Sequence, residues 1–207
     1  MAAMPPRERS IMSISARTVV TGALSHVPGV VPLYKAFGFR ANPAPPESSY
    51  GIWLKHLALS RLWRSEGVPS TVVELGPGQS LGVGLAALIC GSKRYLGLDL
   101  MRFVPVDTVM PVFDRLVELF RQRERPRNAN GFPPYESLLD AAGFPSPALP
   151  AEHMARMLDP ARIAELRAEI DRFVRSGGQR AARIEYVAPW RIEQLPTRGA
   201  MLIGRKP

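Results

Sequence analysis

Two acids and two glycines, Glu74, Gly76, Gly78 and Asp99, are the residues whose types and spacing could do chemistry in this chain. Glycines two apart permit a tight turn and a close approach of backbone to a ligand. The small-residue run from Leu81 to Cys90 reads as a helix, with Ser80 placed to cap its start and Gly91 to end it. A turn on a helix N-terminus offers N–H groups and the positive end of the helix dipole to a carboxylate or other electron-rich group. Asp99 follows Gly78 by 21 residues, near the carboxyl end of the apolar run Tyr95 to Leu100. An acid in that place can accept both hydroxyls of a ribose.

The elements that must position these residues form one run, Thr71 to Leu100. Val72, Val73 and Leu75 read as a short buried strand, Gly76-Pro77-Gly78 as its turn, and Tyr95 to Leu100 as a second buried strand. A dinucleotide-binding G-x-G-x-x-G pattern puts its third glycine at position 81, which is Leu81. What stands here is E-x-G-x-G, and it resembles motif I of the class I S-adenosylmethionine-dependent methyltransferases, with Ser80 where that motif often has a third glycine. By that resemblance the turn passes under the methionine part of the cofactor, Glu74 helps bind its amino group, and Asp99 holds its ribose. The implied cofactor-binding set is Glu74, Gly76, Pro77, Gly78, Ser80 and Asp99. A strand-helix-strand turn without a ligand is the alternative, since tight turns need glycine anyway.

The 207 residues, 46% hydrophobic, are enough for one domain with a real core. The single cysteine, Cys90, falls in the apolar helix and reads as buried rather than reactive; this usage fits a reducing cytoplasm. No run of 18 apolar residues argues for a membrane span. The formal charge of +9 comes mostly from arginine, 23 of the 27 cations, spread along the chain rather than gathered into a nucleic-acid footprint. His26, His56 and His153 are scattered without partners at metal-ligand spacing, so no metal is expected.

Residues 1–48, broken by Pro28, Pro32, Pro43, Pro45 and Pro46, read as an N-terminal arm, and residues 49–207 as the domain. Ser48 or Ser49 is placed to cap a helix from Tyr50 to about Glu66, with Trp53, Leu57 and Trp63 inward. This helix and the glycine turn together are similar to the front end of a group of bacterial methyltransferase-domain proteins with a Y-x-x-W-x-x-H-L helix, matched here by Tyr50, Trp53, His56 and Leu57. The resemblance implies that the helix covers the cofactor pocket; His56 itself has no acidic partner in the sequence and reads as an ordinary helix residue.

Residues 101–182 form a helical insertion before a third strand at Ile184 to Pro189. Within it Asp107 is placed to cap a helix with Met110, Phe113, Val117 and Phe120 inward, ending in a solvated charged tail, RQRERPRN. Tyr135 to Ala142 reads as a short helix, Pro145 to Pro150 as a loop, and Asp159-Pro160 as the start of a helix with the stripe Ile163, Leu166, Ile170 and Phe173. The insertion is expected to cover the site or a partner surface. Trp190 stands where it could stack on adenine or pack in the core. Ala200 to Arg205 supplies a terminal strand that resembles the last strand of such enzymes more than the fourth.

The expected fold is α/β, a Rossmann-like parallel sheet of about four strands with helices on both faces, a shortened class I methyltransferase fold. The resemblance implies a cytoplasmic enzyme that moves a methyl group from S-adenosyl-L-methionine to a small-molecule or saccharide acceptor. A non-catalytic module that keeps the cofactor-binding half is the alternative, and RNA is a weaker candidate substrate. No catalytic residue is named.

Overall fold

A computed structural model describes residues 44–63, 67–127, 134–195 and 200–204, all within the unit Pro43–Pro207. The expected arm over residues 1–43, the Trp63 side chain and Arg205 lie outside the described residues.

Four short strands, β1 (Thr71–Leu75), β2 (Arg94–Leu98), β3 (Ile184–Val187) and β4 (Ala200–Gly204), form one sheet in the order β3-β2-β1-β4. Every pairing is parallel. Between and before them stand α1 (Pro46–Ser60), α2 (Gly82–Cys90), α3 (Val109–Gln122), α4 (Ala151–Met157) and α5 (Pro160–Arg175). The arrangement is α/β and Rossmann-like. The terminal strand lies beside β1 and parallel to it, so it takes the place of a fourth strand in a sheet wound outward from β1.

Alternation along the strands divides the sheet into two unlike faces. Val72, Tyr95, Ile184, Tyr186 and Ile203 point into one cluster with side chains from all five helices. Val73, Leu96 and Leu98 point the other way, against Val187, Trp190, Leu195 and Ala200. Trp190 and Leu195, described residues of the segment after β3 that carries the short 3-10 turn Ile192–Gln194, pack on that second face. Topology accounts for the split. Steps from β1 to β2 to β3 run one way, the step to β4 runs back past β1, and right-handed crossovers in opposite directions must pass over opposite faces.

The helices of the insertion complete the core. Phe113, Leu116, Val117 and Phe120 of α3 and Ile163, Leu166, Ile170 and Phe173 of α5 are buried in the cluster that holds α2. At the C-terminus of α2, Gly91 is left-handed (φ 118°) and its N–H bonds the carbonyls of Ala87 and Leu88. Arg162 of α5 donates to the carbonyls of Leu88 (2.6 Å), Ile89 (3.0 Å) and Met157 (2.5 Å). The ring Nε2 of His153 bonds the Cys90 carbonyl at 2.7 Å. The insertion therefore fills the carbonyls that a helix end leaves without partners.

Helix starts differ from the sequence reading where a backbone or side-chain competitor intervenes. α1 begins at Pro46, with Pro45 rather than a serine at its N-cap, because proline is already set to helical φ in the first turn. Asp107 sits in a 3-10 turn, Val106–Thr108, and α3 starts after it without a side-chain cap. Tyr135 to Ala142 is not a helix beyond the 3-10 turn Glu136–Leu138. The Asp140 carboxylate accepts the N–H groups of Ala142 and Phe144 and the Ser146 hydroxyl, which bends the chain back on itself. The proline-marked loop gives way to α4 directly after Pro150. Asp159 caps α5 as expected, accepting from Ala161 and Arg162. The charged tail of α3 is largely exposed, as expected, with two contacts of its own: Arg123 is left-handed (φ 48°), lies over the Phe144 ring and bonds Ser146, and Arg125 pairs with Glu136.

Candidate functional site

The glycine turn and Asp99 meet at the carboxyl edge of the sheet. Parallel register sets Leu75 beside Leu98, and the Gly76 N–H extends the ladder to the Leu98 carbonyl at 2.8 Å. Both turn glycines are left-handed, Gly76 at φ 69° and Gly78 at φ 67°, with Pro77 between them. Among the described residues nothing lies within 4 Å of a Cβ built on either glycine, so these residues leave open space in front of the turn. Asp99 leaves β2 next to it. One carboxylate oxygen accepts the Gly78 N–H at 3.0 Å and the other accepts the Leu100 N–H at 2.8 Å.

Asp99 is 6% exposed. Burial pushes its pKa up, and hydrogen bonds from the Gly78, Leu100 and Met101 backbone pull against that shift. The carboxylate has about four lone-pair sites and three backbone donors, so one site is left to accept a hydroxyl of a neighbouring diol. The turn follows β1 and bonds the end of β2, and β1 is the strand at which the winding of the sheet reverses, with β4 on its other side. Ligands of open α/β sheets bind in the crevice outside the strands' carboxyl ends at such a point.

Tyr186 is a member of this edge that the sequence reading left unassigned. Its hydroxyl accepts the Phe103 N–H and donates to the Met101 carbonyl, both at 3.1 Å, and so fixes the loop that follows Asp99. A tyrosine in the short strand IEYV was the available signal. Trp190 bonds the Asp99 carbonyl through its backbone N–H, and its side chain packs on the second face of the sheet. Leu100 and Ile192, near the same edge, are exposed.

Glu74 and Ser80 stand differently from the turn. The Glu74 carboxylate is fully buried on the helix-bearing face and accepts the Tyr95 hydroxyl at 2.8 Å. Tyr95 lies against Gly84 and Gly97: a Cβ on Gly84 falls 2.3 Å from its ring carbons, and one on Gly97 falls 3.0 Å from its hydroxyl. Glu74 is thus tied into the packing of α2 on the sheet, beneath the turn. Ser80 is one residue early as a cap. Leu81 takes the N-cap position, and the Ser80 hydroxyl accepts the Gly82 N–H at 3.1 Å.

The other candidates belong to the core. Tyr50, Trp53 and Leu57 are buried, and Trp53 donates its indole N–H to Cys90 Sγ at 3.2 Å. Burial pushes the Cys90 thiol up to about 12, which leaves it inert. His56 is held below the usual histidine range by burial. α1 packs on α2, with Ser49 2.4 Å from where a Cβ on Gly82 would lie, and does not present its aromatic rings to the turn. Among the described residues no group of three histidine, cysteine, aspartate or glutamate side chains could hold a metal ion, and no helix is long and apolar enough to cross a membrane. Comparison of the chain with known protein families, with curated proteins and with solved structures finds no match in any of the three.

Proposed function

We propose that this chain binds S-adenosyl-L-methionine at the carboxyl edge of its sheet and passes the methyl group to a small-molecule or saccharide acceptor. The observation that carries the reading is the Asp99 carboxylate bonded to a left-handed glycine turn that has open space before it. The fit is one of shape and charge. The turn lets backbone approach the methionine part, and Asp99 offers an anionic acceptor to the ribose diol. The bound cofactor supplies a methyl group already activated on a sulfonium. What remains for the protein is to align the acceptor and exclude water, which needs no nucleophile or metal of its own. The acceptor class rests on the sequence resemblance.

A second reading is a module that binds the cofactor without turnover. It is favoured by the described sheet, which has four strands and carries no strand beyond β4. Titration calorimetry with S-adenosylhomocysteine tests what the two readings share. Saturable heat and a matching thermal shift support the site, and neither heat nor shift sinks both. A turnover assay with labelled methyl donor and candidate acceptors then separates enzyme from module.

A further inference from the structure

The opposite edge of the sheet carries a cluster of a different kind. Gly91, Ser92 and Lys93, between α2 and β2, line a cleft of about 380 Å³ together with Met157, Arg162 and Arg183. Three of its six lining residues are cations, and none is an acid. Lys93 immediately precedes β2, Arg183 immediately precedes β3, and Arg162 reaches in from α5, so three separate elements bring their charges to one place.

These cations are unequally committed. Arg162 is fixed by the carbonyls at the end of α2, and burial first, then the Arg183 guanidinium beside it, makes its charge costlier to hold. Among the described residues, neither the Lys93 ammonium nor the Arg183 guanidinium has an ion-pair partner. Of the acids nearby, Glu165 attracts Arg162, and Glu169, which attracts Arg183, is already engaged. One of its oxygens accepts the Arg183 backbone N–H at 2.7 Å, and the other pairs with Arg172. Like charges gathered in a concave site raise the local concentration of anions. A guanidinium and an ammonium facing one cleft suit a compact, multiply charged oxyanion better than a single carboxylate.

We propose that this cleft binds a phosphate group, free or as a small phosphate monoester, with Arg183 and Lys93 as the two side chains that hold it and Arg162 as fixed background charge. The site is independent of the cofactor reading. A strand of five residues separates it from the glycine turn by about 15 Å, so its occupant takes no part in chemistry at Asp99.

The experiment measures the thermal midpoint of the full chain against inorganic phosphate, pyrophosphate and chloride at matched ionic strength, in the parent and in Arg183→Gln, Lys93→Gln and Arg191→Gln. The last removes a cation after β3, at the other edge. The expected result is a saturable rise with phosphate or pyrophosphate and none with chloride. Arg183→Gln and Lys93→Gln should each weaken the apparent affinity by about tenfold, as expected for loss of one charged hydrogen bond, and Arg191→Gln should leave it unchanged. Equal stabilisation by chloride, or phosphate binding undiminished in Arg183→Gln and Lys93→Gln, overturns the assignment. So does binding of a short RNA duplex through these two residues with no response to phosphate alone.

Discussion

The two ends of α2 are built on opposite plans. At its C-terminus the carbonyls from Ala87 to Cys90 are taken by the Gly91 N–H, by Arg162 and by His153, two of them side chains from an insertion of about 80 residues. At its N-terminus the helix is entered from a turn of two left-handed glycines with no described residue within 4 Å of their Cβ positions, and the N-cap residue is Leu81, whose side chain has no oxygen, so that the Ser80 hydroxyl takes the Gly82 N–H. Closure at one end and openness at the other separate support from site within nine residues. The insertion holds the helix, and the turn is left to meet something else.

The strongest test of this contrast is made at the closed end. Arg162→Met removes three charge-assisted hydrogen bonds and leaves helix carbonyls without partners, so stability should fall by about 3 kcal/mol in urea unfolding. Arg162→Lys should recover part of that loss, because one ammonium cannot reach all three carbonyls. S-adenosylhomocysteine affinity of the folded fraction should not change. A large affinity loss would show that the two ends are not separable.

Gly78→Val addresses the open end. A branched side chain at φ 67° costs about 1–2 kcal/mol of backbone strain, yet it projects into the space before the turn. Affinity for S-adenosylhomocysteine should fall about a hundredfold or more by calorimetry, out of proportion to the stability loss. Asp99→Asn is milder. It keeps the shape but not the charge of the acceptor, and should weaken binding by about tenfold while shifting the thermal midpoint little. Binding equal to the parent would end the ribose assignment.

The smallest effect is one of pH, and its sign differs between the two regions. Asp99 has a raised pKa in the folded chain, so its ionisation costs stability as pH rises through that value. A ligand that donates hydrogen bonds to the carboxylate favours the ionised form. Affinity should therefore decline as pH falls through the raised Asp99 pKa, and Asp99→Asn should abolish the dependence. Asp140 and Glu169, in the insertion, have lowered pKa values, chiefly from the Ser146 hydroxyl bond at Asp140 and, against burial, from the Arg172 bond at Glu169. Their contribution is present above the unfolded carboxylate range and is lost as pH falls through the folded values, which acid unfolding of Asp140→Asn against the parent will reveal.

What the sequence disclosed follows the range of the interactions. The strand, glycine turn, helix and second strand from Thr71 to Leu100 were readable because each is specified locally, by aliphatic runs, by glycine and by small helical residues. The inward stripes of α3 and α5 were readable for the same reason. Asp99 was placed at the turn by spacing alone, and its bond to Gly78 agrees with that placing. Much of what was not readable depends on distant partners. Nothing near Arg123 in sequence announces that it will lie over Phe144. Asp140 differs, because Phe144 and Ser146 stand only four and six residues on, and the helix reading overlooked a local competitor for the backbone. α4 was hidden by the prolines before it, although Pro150 sits at its N-cap. The burial of Glu74 against Tyr95 joins two strands across a register that a single sequence does not print.

Gly84, Tyr95 and Gly97 are bound to change together or not at all. The aromatic ring occupies the space that side chains at either glycine would need, so any side chain arriving first at position 84 collides with it, and a smaller residue arriving first at position 95 opens a void between helix and sheet. Each single step is a loss, although a pair of steps, a slimmer residue at 95 with alanine at 84, could restore the contact. Drift at these positions is therefore gated by order, and a laboratory search through single substitutions would find the trio frozen where a search through pairs would find it free to move.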